Sequence, residues 1–82
     1  MISVKVKLFA AVRDIVGSEE KILLVPNGSD SGKIIDVLAA EYPQLRRWKP
    51  HLRVAVNCEY VSSDHIVHDQ DELALIPPVS GG

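Results

Sequence analysis

The chain has 82 residues, of which 46% are hydrophobic and 24% are charged, and its formal net charge at pH 7 is −2. These values are ordinary for a folded protein, so they argue against a disordered chain, and the length suits a single domain. The negative net charge argues against nucleic acid or an anionic membrane as the principal partner. Cys58 is the single cysteine, which excludes an internal disulfide and a cysteine-rich metal site.

The first elements are a strand and a short helix. Apolar and polar residues alternate over Ile2–Leu8, the pattern of a strand with one buried face. Val12, Ile15 and Val16 then lie at helical spacing within Ala10–Val16, and Gly17 suits the end of that helix. No signal-peptide pattern precedes the strand and no apolar run reaches membrane-spanning length, so we expect a cytoplasmic protein.

A second strand and the main helix follow. Residues 22–25 form an apolar run that a Pro-Asn-Gly turn ends, so we expect a hairpin-like edge with the first strand. Asp30 or Ser31 is the predicted N-cap of the main helix. Its apolar stripe is predicted to form one buried face, made of Ile34, Ile35, Leu38, Ala39 and Tyr42. Tyr42 precedes Pro43, which ends the helix.

Residues 44–52 form a connection in which Arg46, Arg47, Lys49 and Arg53 surround Trp48. Such a basic and aromatic cluster resembles a nucleic-acid patch. In an acidic chain, however, a solvated connection is the favoured interpretation, with Trp48 covering the end of the helix.

The C-terminal half predicts three more strand segments. Residues 54–56 form the third strand, residues 57–59 a turn, and residues 60–61 a short return strand. The polar segment 62–70 is predicted to be a loop, residues 69–72 a turn, and residues 73–76 the last strand. The order of elements indicates an α+β fold in which a mixed sheet of about four to five strands packs on one main helix. It is compatible with a β-grasp roll whose last strand lies beside the first.

The predicted domain covers residues 1–76, and residues 77–82 form an extended, flexible C-terminal tail. Pro77 and Pro78 cannot extend a sheet ladder, and they favour an extended path. Six residues reach at most roughly 20 Å, enough to enter a cleft of another protein. The tail residues are Pro77, Pro78, Val79, Ser80, Gly81 and Gly82.

The terminal carboxylate of Gly82 is the one chemical group expected at the tip. Near neutral pH it is an anion, with a reference pKa of about 3.3–3.7, so it must be activated before a sulfur or an amine can attack it. We therefore interpret Gly82 as the reactive residue of a carrier. A glycine-rich tail without a function is the alternative.

Three apolar residues break the alternation of the predicted strands. Phe9, Tyr60 and Ile76 are out of phase with the core residues Leu8, Val61 and Leu75, respectively. If the last strand lies between the first and the third, these three side chains meet on the uncovered face of the sheet, close to the tail. A contiguous apolar patch of this kind indicates a partner-binding surface.

Other candidate sites are weaker. Cys58 has no helix start or adjacent base that would activate its thiol, so a turn residue is favoured over a nucleophile. His65 and His68 lie near acidic residues in a loop, but no complete ligand set accompanies them, so no metal site is predicted.

Several segments together resemble one known family, from end to end and without a large gap. These are Leu8-Phe9-Ala10 with Arg13 and Gly17, Ala55-Val56-Asn57 with Tyr60-Val61, and Asp71-Glu72 followed by the Ile-Pro-Pro-Val-Ser-Gly-Gly ending. They resemble the small, sulfur-carrying subunit of molybdopterin synthase, which has the ubiquitin-like β-grasp fold. The ending is the most specific part of the resemblance.

The resemblance implies a chemical role for the tail. An ATP-dependent activating enzyme adenylates Gly82, which is then converted to a thiocarboxylate. The tail enters the large synthase subunit and gives its sulfur to cyclic pyranopterin monophosphate, making the dithiolene of molybdopterin. Two loaded small subunits serve each product, typically in a heterotetramer of two large and two small subunits.

The resemblance also implies what the chain does not do. It binds no cofactor itself, since ATP is used by the activating partner, and it does not catalyse the transfer alone. Phe9, Tyr60 and Ile76 match the family's apolar contact patch. Two alternatives use the same end of the chain: a ubiquitin-like modifier joined to lysines through Gly82, and a thiazole-synthesis sulfur carrier, which is usually shorter and lacks the helix at Ala10–Val16.

Overall fold

The computed structural model describes residues 1–78, and the predicted sites at Val79, Ser80, Gly81 and Gly82 lie outside them. Two α-helices, five strands and two short 3₁₀ helices follow one another. In chain order they are β1 (Ile2–Leu8), α1 (Ala10–Val16), β2 (Glu20–Val25), α2 (Ser31–Glu41), 3₁₀ helices at Pro43–Arg47 and Lys49–His51, β3 (Arg53–Val56), β4 (Glu59–Val61) and β5 (Glu72–Ile76).

The five strands form one mixed sheet in the order β2-β1-β5-β3-β4. β1 and β5 are parallel, whereas the β1–β2, β3–β5 and β3–β4 pairs are antiparallel. The last strand therefore lies in the middle of the sheet, beside the first. The predicted α+β class and the β-grasp roll are confirmed.

The core fills the space between one face of this sheet and α2. Val6 of β1 pairs with Leu73 of β5, and Leu8 pairs with Leu75, so apolar side chains stack in rows across the central strands. Ile34 and Leu38 of α2 are fully buried, and Ile35 and Ala39 lie beside them, as the helical stripe predicts. Only this face of the sheet is covered by α2.

The ends of both α-helices follow their predicted chemistry. Asp30 is the N-cap of α2, and its carboxylate accepts a hydrogen bond of 2.8 Å from the backbone N–H of Lys33. Ser31, the other candidate, is instead the first helical residue and donates its hydroxyl to the carbonyl of Ser62 at 2.7 Å. α1 ends at Gly17, whose φ of +82° is the left-handed conformation that glycine adopts most easily.

Strand boundaries differ from the prediction at polar residues. Glu72 was predicted in a turn, but it opens β5, because its N–H binds the Asn57 side chain and its carbonyl accepts from the Asn57 N–H. Glu59 likewise belongs to β4, since the turn consists of Asn57 and Cys58 alone, both with positive φ. Hydrogen bonding with the neighbouring strand extends each element beyond its apolar residues.

Candidate partner-binding surface

The face of the sheet opposite α2 is open, and it brings together the apolar residues that break the alternation. On this face Ala74 of β5 pairs with Ala55 of β3, which pairs in turn with Tyr60 of β4. Ile76 is the next residue of β5 on the same face. Tyr60 is 64% exposed, although tyrosine has a large apolar ring.

Phe9 joins this group from the other side of β5. It directly follows Leu8, whose partner in β5 is Leu75, so its backbone lies at the end of β1 beside Ile76. Its side chain is 44% exposed. We call Phe9, Ala55, Tyr60, Ala74 and Ile76 the open-face patch. The structure thus places the three predicted contact residues along one end of one face, while their role in binding stays a prediction.

Charged side chains border the open-face patch. Lys7 and Glu72 approach to 3.8 Å, and Lys5 and Glu20 to 3.9 Å. Both pairs are about half exposed, so each contributes little to stability. Arg53 lies over the ring of Tyr60, with its guanidinium carbon 5.5 Å from the ring centroid. The patch is therefore apolar at its centre and polar at its rim, the usual composition of a protein interface.

The predicted tail leaves the domain from the centre of the sheet. β5 ends at Ile76, between β1 on one side and β3 on the other. Pro77 is buried and Pro78 is exposed. A strand that is hydrogen-bonded on both sides holds the start of the tail more firmly than an edge strand does. The division into a domain of residues 1–76 and a tail of residues 77–82 stays a prediction.

Comparison with known proteins matches the ThiS family model over residues 6–82. The chain belongs to the ThiS family. The molybdopterin synthase sulfur carrier subunit of Arabidopsis thaliana is 40% identical over 81 residues, covering 99% of this chain and 84% of the plant protein. The protein of the same name from Mycobacterium tuberculosis is 37% identical over the whole of both chains. The predicted resemblance is confirmed.

This chain is also similar in structure to a protein with a different name, SAMP1. The crystal structure of SAMP1 from Haloferax volcanii is 33% identical, has a TM-score of 0.86, and covers 98% of this chain and 99% of its own. The match to the ThiS family runs to Gly82, so it includes the six predicted tail residues as well as the folded domain.

Two exposed residues of this ThiS-family chain were not predicted. Ile22 and Leu24 of β2 are 56% and 65% exposed and lie on the open face, opposite Lys5 and Ser3 of β1. The uninterrupted apolar run of residues 22–25 has no alternation that shows which side chains point outward. The pairing with β1 decides it, because Leu23 faces the buried Val4.

The other candidates are placed as follows. Cys58 is exposed in the β3–β4 turn, as predicted. His65 and His68 lie exposed in the loop before β5, and His68 Nδ1 is 3.9 Å from an Asp71 carboxylate oxygen. Within residues 1–78, no group of three His, Cys, Asp or Glu side chains is placed to hold a metal ion. In the same range, the helices are too short or too polar to cross a membrane.

Proposed function

We propose that this chain is a sulfur carrier, the small subunit of a molybdopterin synthase, and that Gly82 carries the sulfur. One observation carries the proposal: β5, the central strand of the sheet, leads directly from the open-face patch into the Pro-Pro-Val-Ser-Gly-Gly ending. The names of the Arabidopsis and Mycobacterium relatives support the same function. A partner that covers the patch is in position to receive the tail.

The chemistry of the tail begins with activation. The carboxylate of Gly82 attacks the α-phosphate of ATP on an activating enzyme, releases pyrophosphate and forms an acyl adenylate. A hydrosulfide then attacks the acyl carbon and displaces AMP, which leaves a thiocarboxylate and a proton. The chain itself contributes the carboxylate. The serine and glycines of its ending have small side chains or none, so a narrow channel in the partner can close around their backbone.

The open-face patch and the tail have separate tasks in this scheme. The patch provides affinity, because binding removes the apolar surfaces of Tyr60, Phe9 and Ile76 from water. Binding through the patch places the tail at high effective concentration near the partner's active site. The large synthase subunit supplies the groups that bind the pterin precursor, and two loaded small subunits deliver the two sulfur atoms of the dithiolene.

Mass spectrometry of the intact chain tests the loading step. The chain is incubated with ATP, a cognate activating enzyme and a sulfur source, and the mass is expected to rise by the exchange of one oxygen for one sulfur at Gly82. A variant lacking Gly82 is the control and should show no such gain. The proposal is contradicted if the full-length chain gains no mass although the same activating enzyme preparation loads another carrier protein.

A protein modifier is the second candidate function. It is favoured by the likeness to SAMP1 of Haloferax volcanii, whose full name is small archaeal modifier protein 1 and whose sequence is 32% identical over 93% of this chain. The same activated Gly82 would react with a lysine amine in place of hydrosulfide. Host proteins that carry a peptide of this chain ending in Gly81-Gly82, joined to a lysine by an isopeptide bond and absent when Gly82 is deleted, would support the modifier.

A further inference from the structure

The charges of this chain are divided unevenly along its length. Four of the nine Lys and Arg residues fall within residues 46–53, and none of the eleven Asp and Glu residues lies between Glu41 and Glu59. The remainder of the chain therefore carries five basic and eleven acidic residues. A segment of one sign in a chain of opposite net charge produces a local positive potential that attracts acidic partners.

The two 3₁₀ helices turn this segment outward. Leu45 is fully buried and anchors the first of them, while Arg46 and Arg47 are exposed. Lys49 pairs with Asp36 of α2, and Arg53 lies over Tyr60. Within residues 1–78, by contrast, no carboxylate oxygen lies within 4.0 Å of Arg46 or Arg47. These two arginines therefore dominate the positive charge of the segment.

Trp48 lies next to the two arginines, and all three line an open depression on the surface. The depression has a volume of about 750 Å³ and runs between α1 and the first 3₁₀ helix. Trp48 is half-buried, but it is not among the half-buried side chains that pack on the core. Tryptophan and arginine, with tyrosine, are the residues most enriched at the energetic centres of protein interfaces. Ile15 adds apolar surface to the wall formed by α1.

This depression lies at the end of the sheet where the tail begins. Only Leu52 separates the second 3₁₀ helix from Arg53. Arg53 pairs with Ile76, the last residue of β5. Phe9 of the open-face patch directly precedes α1, which forms the other wall. A partner that covers the open-face patch and receives the tail therefore reaches the depression by extending around the same end of the molecule.

We infer that Arg46, Arg47 and Trp48 form a second docking site, which binds an acidic segment of the partner protein that receives the tail. The inference rests on the proposed function for the identity of that partner. Charge decides the chemistry of the segment: carboxylates pair with Arg46 and Arg47, and an apolar side chain beside them contacts Trp48. The acidic remainder of the chain disfavours nucleic acid at the same place.

Asp14 is expected to affect binding in the opposite direction to the two arginines. It is the one carboxylate that lines the depression among residues 1–78, on the α1 wall opposite the arginines. Because it repels an acidic segment, removing its charge should strengthen binding, whereas reversing the charge of Arg46 or Arg47 should weaken it. A role of these residues in stability alone does not produce effects of opposite sign on binding.

The test measures the dissociation constants for the activating enzyme and for the large subunit at two ionic strengths. Arg46→Glu and Arg47→Glu are each expected to weaken binding to at least one of them about tenfold at low salt and to reduce its salt dependence. Trp48→Ala should weaken it as well, and Asp14→Asn should tighten it. Lys33→Glu is the matched control: it makes the same charge change at an exposed cation of α2 that has no carboxylate within 4.0 Å in residues 1–78.

Several outcomes overturn the inference. If Arg46→Glu and Arg47→Glu behave like Lys33→Glu with both partners, no acidic segment binds here. If the wild-type chain retains single-stranded RNA through these arginines and protein binding is unaffected, the site is a nucleic-acid site. Circular dichroism verifies that each variant is folded. The proposed function fails separately, when the wild-type chain gains no sulfur in the mass measurement.

Discussion

Arg53, the first residue of β3, lies directly opposite Ile76, the last residue of β5. This pair joins the open-face patch, the start of the predicted tail and the basic segment of residues 46–53. Ile76 belongs to the open-face patch and precedes the tail, while Arg53 lies over Tyr60 of the patch and closes the basic segment. A partner that contacts this pair therefore contacts the patch, the start of the tail and the edge of the basic segment together.

The open-face patch predicts a loss of binding when a charge is placed in it. Tyr60→Asp should weaken binding to the large synthase subunit at least about thirtyfold, since the loss of an aromatic anchor commonly costs about 2 kcal/mol or more. Titration calorimetry measures the change. Leu24→Asp is the matched control, because Leu24 is 65% exposed on the same face but lies in β2, away from the patch. Equal losses for both variants would contradict the assignment.

The end of α1 predicts a cost for any side chain at Gly17. The φ of +82° is strained for alanine, and no atom lies within 4 Å of an added Cβ, so the cost is one of backbone conformation alone. Gly17→Ala should lower the unfolding free energy by about 1–2 kcal/mol. Gly17→Asn should cost less, because asparagine tolerates this conformation. Denaturant titration compares the two, and an equal cost would contradict a cost set by the left-handed conformation.

The N-cap of α2 predicts a loss of thermal stability. Asp30→Ala removes the 2.8 Å hydrogen bond to the N–H of Lys33. Such a change costs about 1 kcal/mol, which lowers the melting temperature of a domain of this size by about 4–8 °C. Calorimetry of Asp30→Ala and of Asp14→Ala, an exposed acid within α1, separates the cap from a general charge effect. A melting temperature that is the same in both variants would contradict the capping role.

Lys21 predicts a pH dependence of stability in the alkaline range. Hydrogen bonds to Glu41 and then Tyr42 raise the pKa of its ammonium above the usual 10.5 in the folded state. The ion pair with Glu41 is 2.7 Å long and joins β2 to the end of α2. Because the folded-state pKa is the higher one, this stabilisation is complete below the unfolded pKa and is lost as the pH rises through the folded one.

Denaturation midpoints between pH 8 and 12 test this prediction in two variants. Wild type should exceed Lys21→Met at pH 8, and the difference should shrink above about pH 10.5, where lysine titrates. Lys21→Arg keeps its charge through this range and should therefore keep any advantage over Lys21→Met. A constant difference between wild type and Lys21→Met would show that the alkyl chain, and not the charge, stabilises the contact.

Local patterns were sufficient for the parts of the fold that depend on local chemistry. The spacing of Ile34, Leu38 and Tyr42, the cap at Asp30 and the proline at 43 predict α2 closely, and Gly17 predicts the end of α1. The strand order was a different matter. Periodicity is compatible with a central β5 but does not require it, because pairing between β1 and β5 joins residues far apart in the sequence.

The candidate site shows the same division. Phe9, Tyr60 and Ile76 were found because each breaks a local alternation. Ile22 and Leu24 were missed because their run has no alternation, and only the register with β1 assigns their face. Trp48 lines a depression between α1 and the first 3₁₀ helix, together with Pro43 and Gln44 after the end of α2. That α1 forms the other wall depends on tertiary packing that no local pattern encodes.

Transfer of sulfur in a single turnover is the decisive test of the proposed sulfur carrier. The thiocarboxylated chain is mixed with the large subunit and cyclic pyranopterin monophosphate, and the intact mass of the chain is followed with time. The mass is expected to return to the carboxylate form as the dithiolene product appears, in a ratio of two chains to one product. A thiocarboxylate that persists with an active large subunit, or that is lost without product, would show that Gly82 does not donate sulfur to the pterin.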